Sequence, residues 1–570
     1  MRSRRFGVWG WVAGVAALLC ASAAWIVPVS TDGLATLRTS FSLLLTGWFR
    51  LPAAPPGAWA DPYMFRTPPG GVGLDYGYPP LGSLVRAALL APVGLVPAGV
   101  PRGRAADVVL TLLPVLLTAL SVVPLARLAR FAGCSRRAAP ALAAALLSAT
   151  FIGPLGRQDF QEPFVVFLSV SALERVLVAR RREGAHRRWA LAACGGLVGL
   201  ALLAKPTVFV LVPPLLFAMA RPLRRPARAR DFAAFAAGMA PGLAAFLVLN
   251  DLRFGSPLDF GYRWGDLPSG GLRLPLAWTA LRLTVLPNRG VFWFAPLLLL
   301  ALFVPMRSRF KEPLRTDCAA ALLAAGGFFA ANLWWWVWEG GFGWGPRLLA
   351  PAVALSIPWL AGSGRAWRRA AFALTLFGFA LNLPAYLLDE GRLYTVVGSR
   401  PNAIPFGPAM PRHIVTGTGR IHPFQRLHYL PGEASWIEGP KVLYSLLSHG
   451  EGKDAGSTRE ERRDSMLLRI LLGKPVWQPF PGTGRFLLDD SDVASSVDAD
   501  RALIYARTAV DFGGPPVDSR ALLSMLLLRK GRAAEAAEVC REALALDPSR
   551  ADVRTNLAVA QEMLQSRPSR

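Results

Sequence analysis

The sequence predicts an all-α membrane protein that crosses the bilayer about eleven times and continues into a soluble α-helical region. Its mean hydropathy of +0.36 and its hydrophobic content of 53% are too high for a soluble chain of 570 residues. The apolar residues are also concentrated in runs close to the roughly 20 residues that a bilayer core requires. Buried helices of a soluble core explain one or two such runs, but not a repeated series.

The gaps between the predicted spans alternate in charge. The spans are predicted at residues 7–29, 106–125, 138–155, 163–179, 189–204, 206–220, 232–250, 291–305, 317–337, 347–362 and 371–388. The strongly basic gaps are residues 1–5, 127–137, 180–188, 221–230, 307–315 and 365–369. Because basic loops stay on the cytoplasmic side, the alternation predicts a cytoplasmic N-terminus and an extracytoplasmic C-terminal region.

The formal net charge of +26 is a balance that nucleic-acid binders often carry. Here, however, the basic residues cluster in the short gaps between apolar runs, where they indicate topology and contact with anionic lipid. We therefore expect membrane lipid, and no nucleic acid, as a partner. The five cysteines include no CxxC pair, which excludes a zinc knuckle and a disulfide framework.

The first outer segment follows the first span and opens with Ser30-Thr31-Asp32-Gly33. This pattern is typical of a helix start, with Asp32 able to cap the helix. Residues 34–48 are expected to form a semi-apolar helix along the membrane interface. We interpret the apolar residues 81–100 as an interfacial or re-entrant element, because counting them as a span would break the charge alternation.

The chain divides into three predicted domains: a transmembrane domain at 1–390, an extracytoplasmic linker or small irregular region at 391–495, and helical repeats at 496–570. The spacing of Ala536, Ala543 and Pro548 matches the 34-residue hairpin of tetratricopeptide repeats. Alanines recur one period earlier, at 502 and 509. An ordinary helical hairpin is the alternative. Repeats of this kind predict binding of a protein partner or acceptor.

Acidic residues at the mouth of membrane spans are costly to desolvate and are therefore functional candidates. The outer carboxylates are Asp32, Asp61, Asp75, Asp159, Glu162, Asp251, Asp259, Asp266 and Glu339, and the outer cations include Arg157, Lys205, Arg263, Arg289 and Arg347. A carboxylate can deprotonate an acceptor hydroxyl while cations hold a departing phosphate. The alternative for any single carboxylate is a solvated loop charge.

Several motifs occur in order along the outer face. They are Ser30-Thr31-Asp32, Tyr78-Pro79-Pro80-Leu81, Phe160-Gln161-Glu162-Pro163, Ala204-Lys205-Pro206-Thr207, Asn250-(x3)-Phe254-Gly255-Ser256-Pro257-(x3)-Gly261-Tyr262, Asn288-Arg289-Gly290-Val291-Phe292 and Trp338-Glu339-Gly340-Gly341-(x3)-Gly345-Pro346-Arg347. Together they resemble the GT-C class of polytopic glycosyltransferases. The likeness is to the bacterial family-39-like enzymes related to protein O-mannosyltransferases and aminoarabinose transferases, and it covers residues 1 to about 390.

The resemblance implies a polyprenyl-phosphate sugar donor, an acceptor on the outer side and a bacterial inner membrane as the location. The family's catalytic carboxylate falls on Asp32, and contact with the donor phosphate is assigned to Arg347 and Lys205. Residues expected to bind acceptor or sugar are Asp75, Tyr78, Asp159, Glu162, Tyr262, Arg289, Glu339 and Trp344. The chain departs from the family at Gly33, where a second acid often stands, and at Tyr78, where aminoarabinose transferases carry Lys.

These observations favour an inverting glycosyltransferase with Asp32 as general base. No nucleotide-binding glycine motif is present, so no nucleotide cofactor is expected, and the need for a divalent metal stays open. Two alternatives belong to other classes. One is a transporter or flippase, which would place ionisable residues deep within spans. The other is a catalytically inert scaffold that presents the repeats.

Overall fold

The structure is a computed structural model, and it describes about two thirds of the chain. The described residues are 7–22, 31–47, 65–66, 75–76, 79–95, 102–158, 160–220, 225–261, 276–304, 314–334, 343–388, 434–449, 491–492, 499–511 and 515–566, with the single residues 49, 340 and 488. Apart from turns and short connections, they are helical except for one pair of two-residue antiparallel strands, β1 (Phe65–Arg66) and β2 (Asp75–Tyr76). The expected all-α polytopic class is confirmed.

The chain divides into two compact units. The first comprises residues 1–24, 112–248 and 263–476, and the second comprises 25–111, 249–262 and 477–570. The predicted domains 1–390, 391–495 and 496–570 cut the chain at other points and stay predictions. The second unit joins the first outer segment to the C-terminal region, which are far apart in the sequence.

Most helices of the first unit coincide with predicted spans. They are α1 (Val8–Ser22), α4 (Arg102–Leu120), α5 (Val122–Phe131), α6 (Ala138–Ser148), α7 (Ile152–Gly156), α8 (Glu162–Ala179), α9 (Gly184–Ala204), α10 (Val212–Ala220), α11 (Arg225–Phe254), α12 (Leu276–Thr284), α13 (Val291–Phe294), α14 (Leu314–Trp334), α15 (Ala350–Leu355), α16 (Ile357–Leu360), α17 (Arg365–Leu387) and α18 (Ser435–His449). The first ten residues of α4 and the last six of α11 belong to the second unit.

Five helical stretches of the described residues are long and apolar enough to cross a membrane. They are Thr111–Phe131, Gly184–Ala204, Ala229–Phe254, Leu314–Trp334 and Arg365–Leu387. The predicted spans at 291–305 and 347–362 are instead broken into short helices and 3-10 turns. Prolines at 296, 351 and 358 explain the breaks, because each lacks an N–H and opposes a continuous helix.

Buried arginines join the helix ends at the two ends of α8. At one end, Arg157 donates to the carbonyls of Ser22 and Leu388, which stand where α1 and α17 finish. At the other end, Arg180 forms an ion pair with Asp317, whose side chain is fully buried near the start of α14. Arg157, from a gap predicted to be outer, and Arg180, from a gap predicted to be inner, therefore lie at opposite ends of α8.

Helices α9 and α11 cross through glycines. Gly195 and Gly199 of α9 face Gly238 and Gly242 of α11, and a Cβ on any of the four would press on the backbone of the other helix. Small residues at this spacing let two membrane helices approach closely. The close crossing therefore depends on having glycine, with no side chain, at these four positions.

The second unit combines the first outer segment with the C-terminal helices. Its helices are α2 (Thr31–Thr46), α3 (Leu81–Leu90), α19 (Ala499–Asp511), α20 (Pro516–Arg529), α21 (Ala533–Leu546) and α22 (Ala551–Gln565). Leu37 and Phe41 of α2 share one buried cluster with Tyr505 and Ala509 of α19. The predicted helix at 34–48 is confirmed, and Asp32 lies inside its first turn rather than before it.

Small residues line the contacts between the C-terminal helices. The predicted positions Ala502, Ala509, Ala536 and Ala543 are all fully buried, which lets α19 to α22 pack closely. The loop after α20 turns at Gly531, whose φ of +69° favours glycine. These helices agree with the expected helical region, and their assignment to tetratricopeptide repeats stays a prediction.

Candidate functional site

Two residues from neighbouring helices meet at the N-terminal end of α8, which the charge of the gaps predicts to be the outer end. Glu162 is the first residue of α8, and Lys205 follows the last residue of α9 in an extended conformation before Pro206. The Lys205 Nζ lies 3.1 Å from the Glu162 Oε1. The Glu162 side chain is 6% exposed and that of Lys205 20%. The carboxylate side chain is therefore more deeply buried than the lysine side chain that pairs with it.

Arg347 adds a second positive charge to this pair. Its guanidinium carbon lies 4.2 Å from the centroid of the Phe160 ring. Glu162 stands just before the predicted span 163–179. Burial raises the pKa of its carboxyl, but the charges of Lys205 and Arg347 outweigh burial and hold that pKa below its ordinary value. The carboxylate is therefore ionised at neutral pH, and the two cations beside it are of the kind that bind phosphate.

Glycines make room for the Arg347 side chain. A Cβ on Gly340 would lie 2.8 Å from the Arg347 Cγ, and one on Gly343 would lie 2.9 Å from the Arg347 Cδ. Gly345 has a φ of +67°, and a Cβ there would lie 2.9 Å from Phe294. The glycine-rich motif before Arg347 thus allows a tight turn around the arginine's aliphatic part.

Arg289 and Trp344 hold this turn from inside the protein. The Arg289 Nη1 donates to the carbonyl oxygens of Gly343 and Gly345. The Trp344 Nε1 donates to the Asn382 Oδ1 at 2.9 Å. Arg289 and Trp344 are each only 1% exposed. Their contacts fix the backbone that carries Arg347, while their predicted part in binding a sugar stays a prediction.

The remaining predicted site residues are only partly described. Asp32 lies on α2 and Asp75 on β2, and only their backbones are described. Tyr78, Asp159, Tyr262 and Glu339 lie outside the described residues. The structure thus brings Glu162, Lys205 and Arg347 together and supports the last with Arg289 and Trp344.

Sequence reasoning missed two contributors to this region. Asn382 is fully buried in α17 and donates to the Phe294 carbonyl at 3.1 Å. A lone amide within an apolar span, two residues before Pro384, was the available signal. The second is Trp436 on α18, a helix within the region predicted to be a linker or irregular. Gly439 and Pro440 inside that helix weaken its helical pattern.

The described part of the chain contains no group of three or more His, Cys, Asp or Glu side chains that could hold a metal ion. The need for a divalent metal therefore stays open, because four of the predicted polar site residues lie outside that part.

Residues 103–249, about a quarter of the chain, match the family model of the dolichyl-phosphate-mannose-protein mannosyltransferases. For this part of the chain, the match confirms the family resemblance predicted from the motifs. The matched range includes Glu162 and Lys205, but neither Asp32 nor Arg347. A comparison with curated proteins found no match.

Two solved structures of other proteins are similar over almost the whole chain. One is the archaeal oligosaccharyltransferase AglB from Archaeoglobus fulgidus, in complex with an inhibitory peptide and a dolichol-phosphate. It has a TM-score of 0.33 at 16% identity and covers 98% of this chain and 56% of AglB. The other is ArnT from Cupriavidus metallidurans bound to undecaprenyl phosphate, with a TM-score of 0.43 at 15% identity, covering 97% of this chain and 84% of ArnT. The chain thus spans about half the length of AglB.

Proposed function

We propose that the chain is an inverting membrane glycosyltransferase that moves a sugar from a polyprenyl-phosphate donor to an acceptor hydroxyl outside the cytoplasm. The observation that carries the proposal is the group formed by Glu162, Lys205 and Arg347, which brings two cations together at the N-terminal end of α8. The family match over residues 103–249 supports the same class of reaction. A bacterial inner membrane is the proposed location.

Lys205 and Arg347 are proposed to bind the donor phosphate. The donor is a phosphodiester with one negative charge, and the polyprenyl phosphate that leaves carries up to two. Cations beside that phosphate therefore interact more strongly with the transition state than with the bound donor, which is what accelerates a reaction. Glu162 forms an ion pair with Lys205 and compensates the charge of that partly buried ammonium.

Asp32 is proposed to be the general base. It takes the proton of the acceptor hydroxyl as the acceptor oxygen bonds to the anomeric carbon and the bond from that carbon to the phosphate oxygen breaks. A direct displacement of this kind inverts the anomeric configuration. The position of Asp32 in the first turn of α2 supports an ionised carboxylate, because the N-terminal end of a helix stabilises negative charge.

The C-terminal helices α19 to α22 are proposed to bind an acceptor or a protein partner. Their packing against α2 within one unit supports a shared side of the membrane for Asp32 and these helices. With Asp32 in an outer segment, this side is extracytoplasmic.

The direct test is transfer by the purified full chain in lipid nanodiscs. Undecaprenyl-phosphate donors carrying labelled mannose, glucose or aminoarabinose are each mixed with membrane glycolipid or peptide acceptors. We expect labelled product with at least one donor, inverted at the anomeric carbon by NMR, and none with the corresponding nucleotide sugars. Transfer from a nucleotide sugar, or no transfer from any lipid-linked donor together with lipid movement between leaflets, would contradict the proposal and favour a flippase.

A further inference from the structure

Helix α18 packs directly on the part of the first unit that holds the Arg347 turn. Trp436 stacks on Trp293, with ring centroids 4.9 Å apart and planes 8° from parallel. The Trp436 Nε1 also donates to the Pro287 carbonyl at 2.9 Å. An indole with both a stacked face and a satisfied N–H is held in one orientation. Trp436 therefore fastens α18 to the segment that contains Arg289.

One turn further along α18, Gly439 lies against Trp344. A Cβ at Gly439 would be 3.2 Å from the Trp344 Cη2 and 2.8 Å from the Pro384 Cβ. A side chain at this position would therefore clash with Pro384 and crowd the indole. This approach is part of what leaves Trp344 only 1% exposed.

The contacts continue from Trp344 to Arg347. Trp344 stands between Gly343 and Gly345, the two residues whose carbonyls accept from Arg289. The Arg347 backbone N–H then donates to the Gly345 carbonyl at 3.0 Å. Helix α18 therefore makes two contacts that bear on the turn. Trp436 contacts the segment that contains Arg289, and Gly439 contacts Trp344 within the turn itself.

We propose that α18 is a positioning element that holds the Arg347 turn in place, with Trp436 and Gly439 as its two positioning residues. The consequence for catalysis rests on the proposed function, while the consequence for the turn does not. Loss of either contact loosens the backbone that carries Arg347, and the phosphate-binding guanidinium then occupies its productive position for less of the time.

Hydrogen exchange of the full chain in nanodiscs tests the effect on the turn without any donor. The reporters are the amides of Arg347 and Leu349, which are hydrogen-bonded within the turn. Trp436→Ala and Gly439→Ala should raise their exchange by about 10-fold or more, while amides of α20 keep the wild-type rate. Trp436→Phe, which keeps a stacking ring, should restore most of the protection.

Matched controls separate this effect from general damage. Gly326→Ala adds the same methyl group within α14, where nothing lies within 4 Å of it. Trp189→Ala removes an indole that is 77% exposed. Both controls should leave exchange in the turn unchanged. Wild-type exchange at Arg347 and Leu349 in both Trp436→Ala and Gly439→Ala would overturn the proposal, and so would equal exchange gains in the two controls.

Kinetics then distinguish the two proposals from each other. If the wild-type chain transfers sugar, Trp436→Ala should lower kcat/KM for the donor about 10-fold, and Trp436→Phe should recover most of it. Exchange gains without any loss of transfer would overturn the link to catalysis. If the wild-type chain transfers no sugar while the variants still gain exchange, the proposed function fails and the positioning role of α18 stands.

Discussion

The Lys205 ammonium lies 3.1 Å from the Glu162 carboxylate, where α9 ends and α8 begins. Since the two helices run in opposite directions, the pair joins the end of α9 to the start of α8. The carboxylate is almost fully buried and has Arg347 as a second cation nearby. Such a pair has two uses, to hold the helix ends together and to prepare two cations for an anion, and the two uses can be separated by mutation.

Lys205→Gln should reduce kcat/KM for a lipid-phosphate donor by about 10- to 100-fold, the equivalent of one charge-assisted hydrogen bond of about 1.5–3 kcal/mol. It should also lower thermal stability, because Glu162 loses a partner while buried. The double variant Lys205→Gln with Glu162→Gln should recover stability but not transfer, since the neutral amides can still bond each other.

Kinetics and thermal unfolding in nanodiscs measure both effects. The control is Lys530→Gln, a change of the same charge in the C-terminal helices, where the Lys530 side chain is 32% exposed. It should leave transfer unchanged. Full transfer by the double variant would show that the pair has only a structural role.

The sequence was enough to predict that Glu162, Lys205 and Arg347 share one face of the membrane. Span ends follow from hydropathy, and the charge of the gaps assigns their side. The sequence was not enough to assign a role to Arg289 and Trp344. Arg and Trp side chains bind sugars or backbone carbonyls equally well, and only the geometry reveals that these two contact their own chain.

The division into units was not predictable from local pattern. Tyr505 joins Leu37 and Phe41 across more than 450 residues of sequence, and each of these residues taken alone fits an ordinary amphipathic helix. Helix α18 was hidden for a different reason, since Gly439 and Pro440 both oppose helix in isolation. Contacts with Trp293 and Trp344 compensate for those weak residues in the folded chain.

Gly345→Ala should destabilise the first unit and impair transfer. The residue has a φ of +67°, and the new methyl would lie 2.9 Å from Phe294. Gly364→Ala is the matched control, because Gly364 also has positive φ, at +95°, but nothing lies within 4 Å of its Cβ position. Alanine at positive φ destabilises the folded state of both variants by about 1–2 kcal/mol. Only Gly345→Ala adds a steric clash.

Thermal unfolding and donor kinetics distinguish these variants. We expect the larger drop in melting temperature for Gly345→Ala, together with a loss of kcat/KM that Gly364→Ala does not share. Equal stability and equal transfer in the two variants would contradict the tight turn around Arg347.

Gly195→Ala should destabilise the crossing of α9 and α11, whereas its neighbour Gly196→Ala should not. A methyl on Gly195 would collide with the Phe235 carbonyl oxygen, while one on Gly196 would lie 3.7 Å from that of Gly238. Overpacking costs about 1–3 kcal/mol, and an accommodated Gly→Ala change in a helix gains about 0.5–1 kcal/mol. Folded yield and melting temperature in detergent measure the difference, and equal values would argue against the glycine crossing.

Tyr505→Ala should loosen α2, although the two are distant in sequence. Tyr505 is fully buried in the cluster with Leu37 and Phe41, so truncation should cost about 3–5 kcal/mol, as for other large aromatic residues. Ile504→Ala is the control, because Ile504 is 40% exposed. Hydrogen exchange within Thr31–Thr46 should rise in Tyr505→Ala alone. Unchanged exchange there would contradict a shared core of α2 and α19.

Asp32→Asn should reduce sugar transfer by about 100- to 10,000-fold, the usual contribution of a general base. Asp32 lies in the first turn of α2, where its charge could instead serve only to stabilise the helix. That role contributes about 0.3–1 kcal/mol, so its loss would alter stability slightly and the chemical step hardly at all.

Asn keeps the size and polarity of Asp while removing the charge, and therefore separates the two roles. Asp251→Asn is the control, since Asp251 is an exposed carboxylate to which no part in binding or catalysis is assigned. Transfer of labelled sugar is measured with equal amounts of wild-type and variant protein in nanodiscs. A wild-type rate in Asp32→Asn would reduce Asp32 to a helix-stabilising residue, and Asp75, Asp159 and Glu162 would be the next carboxylates to test.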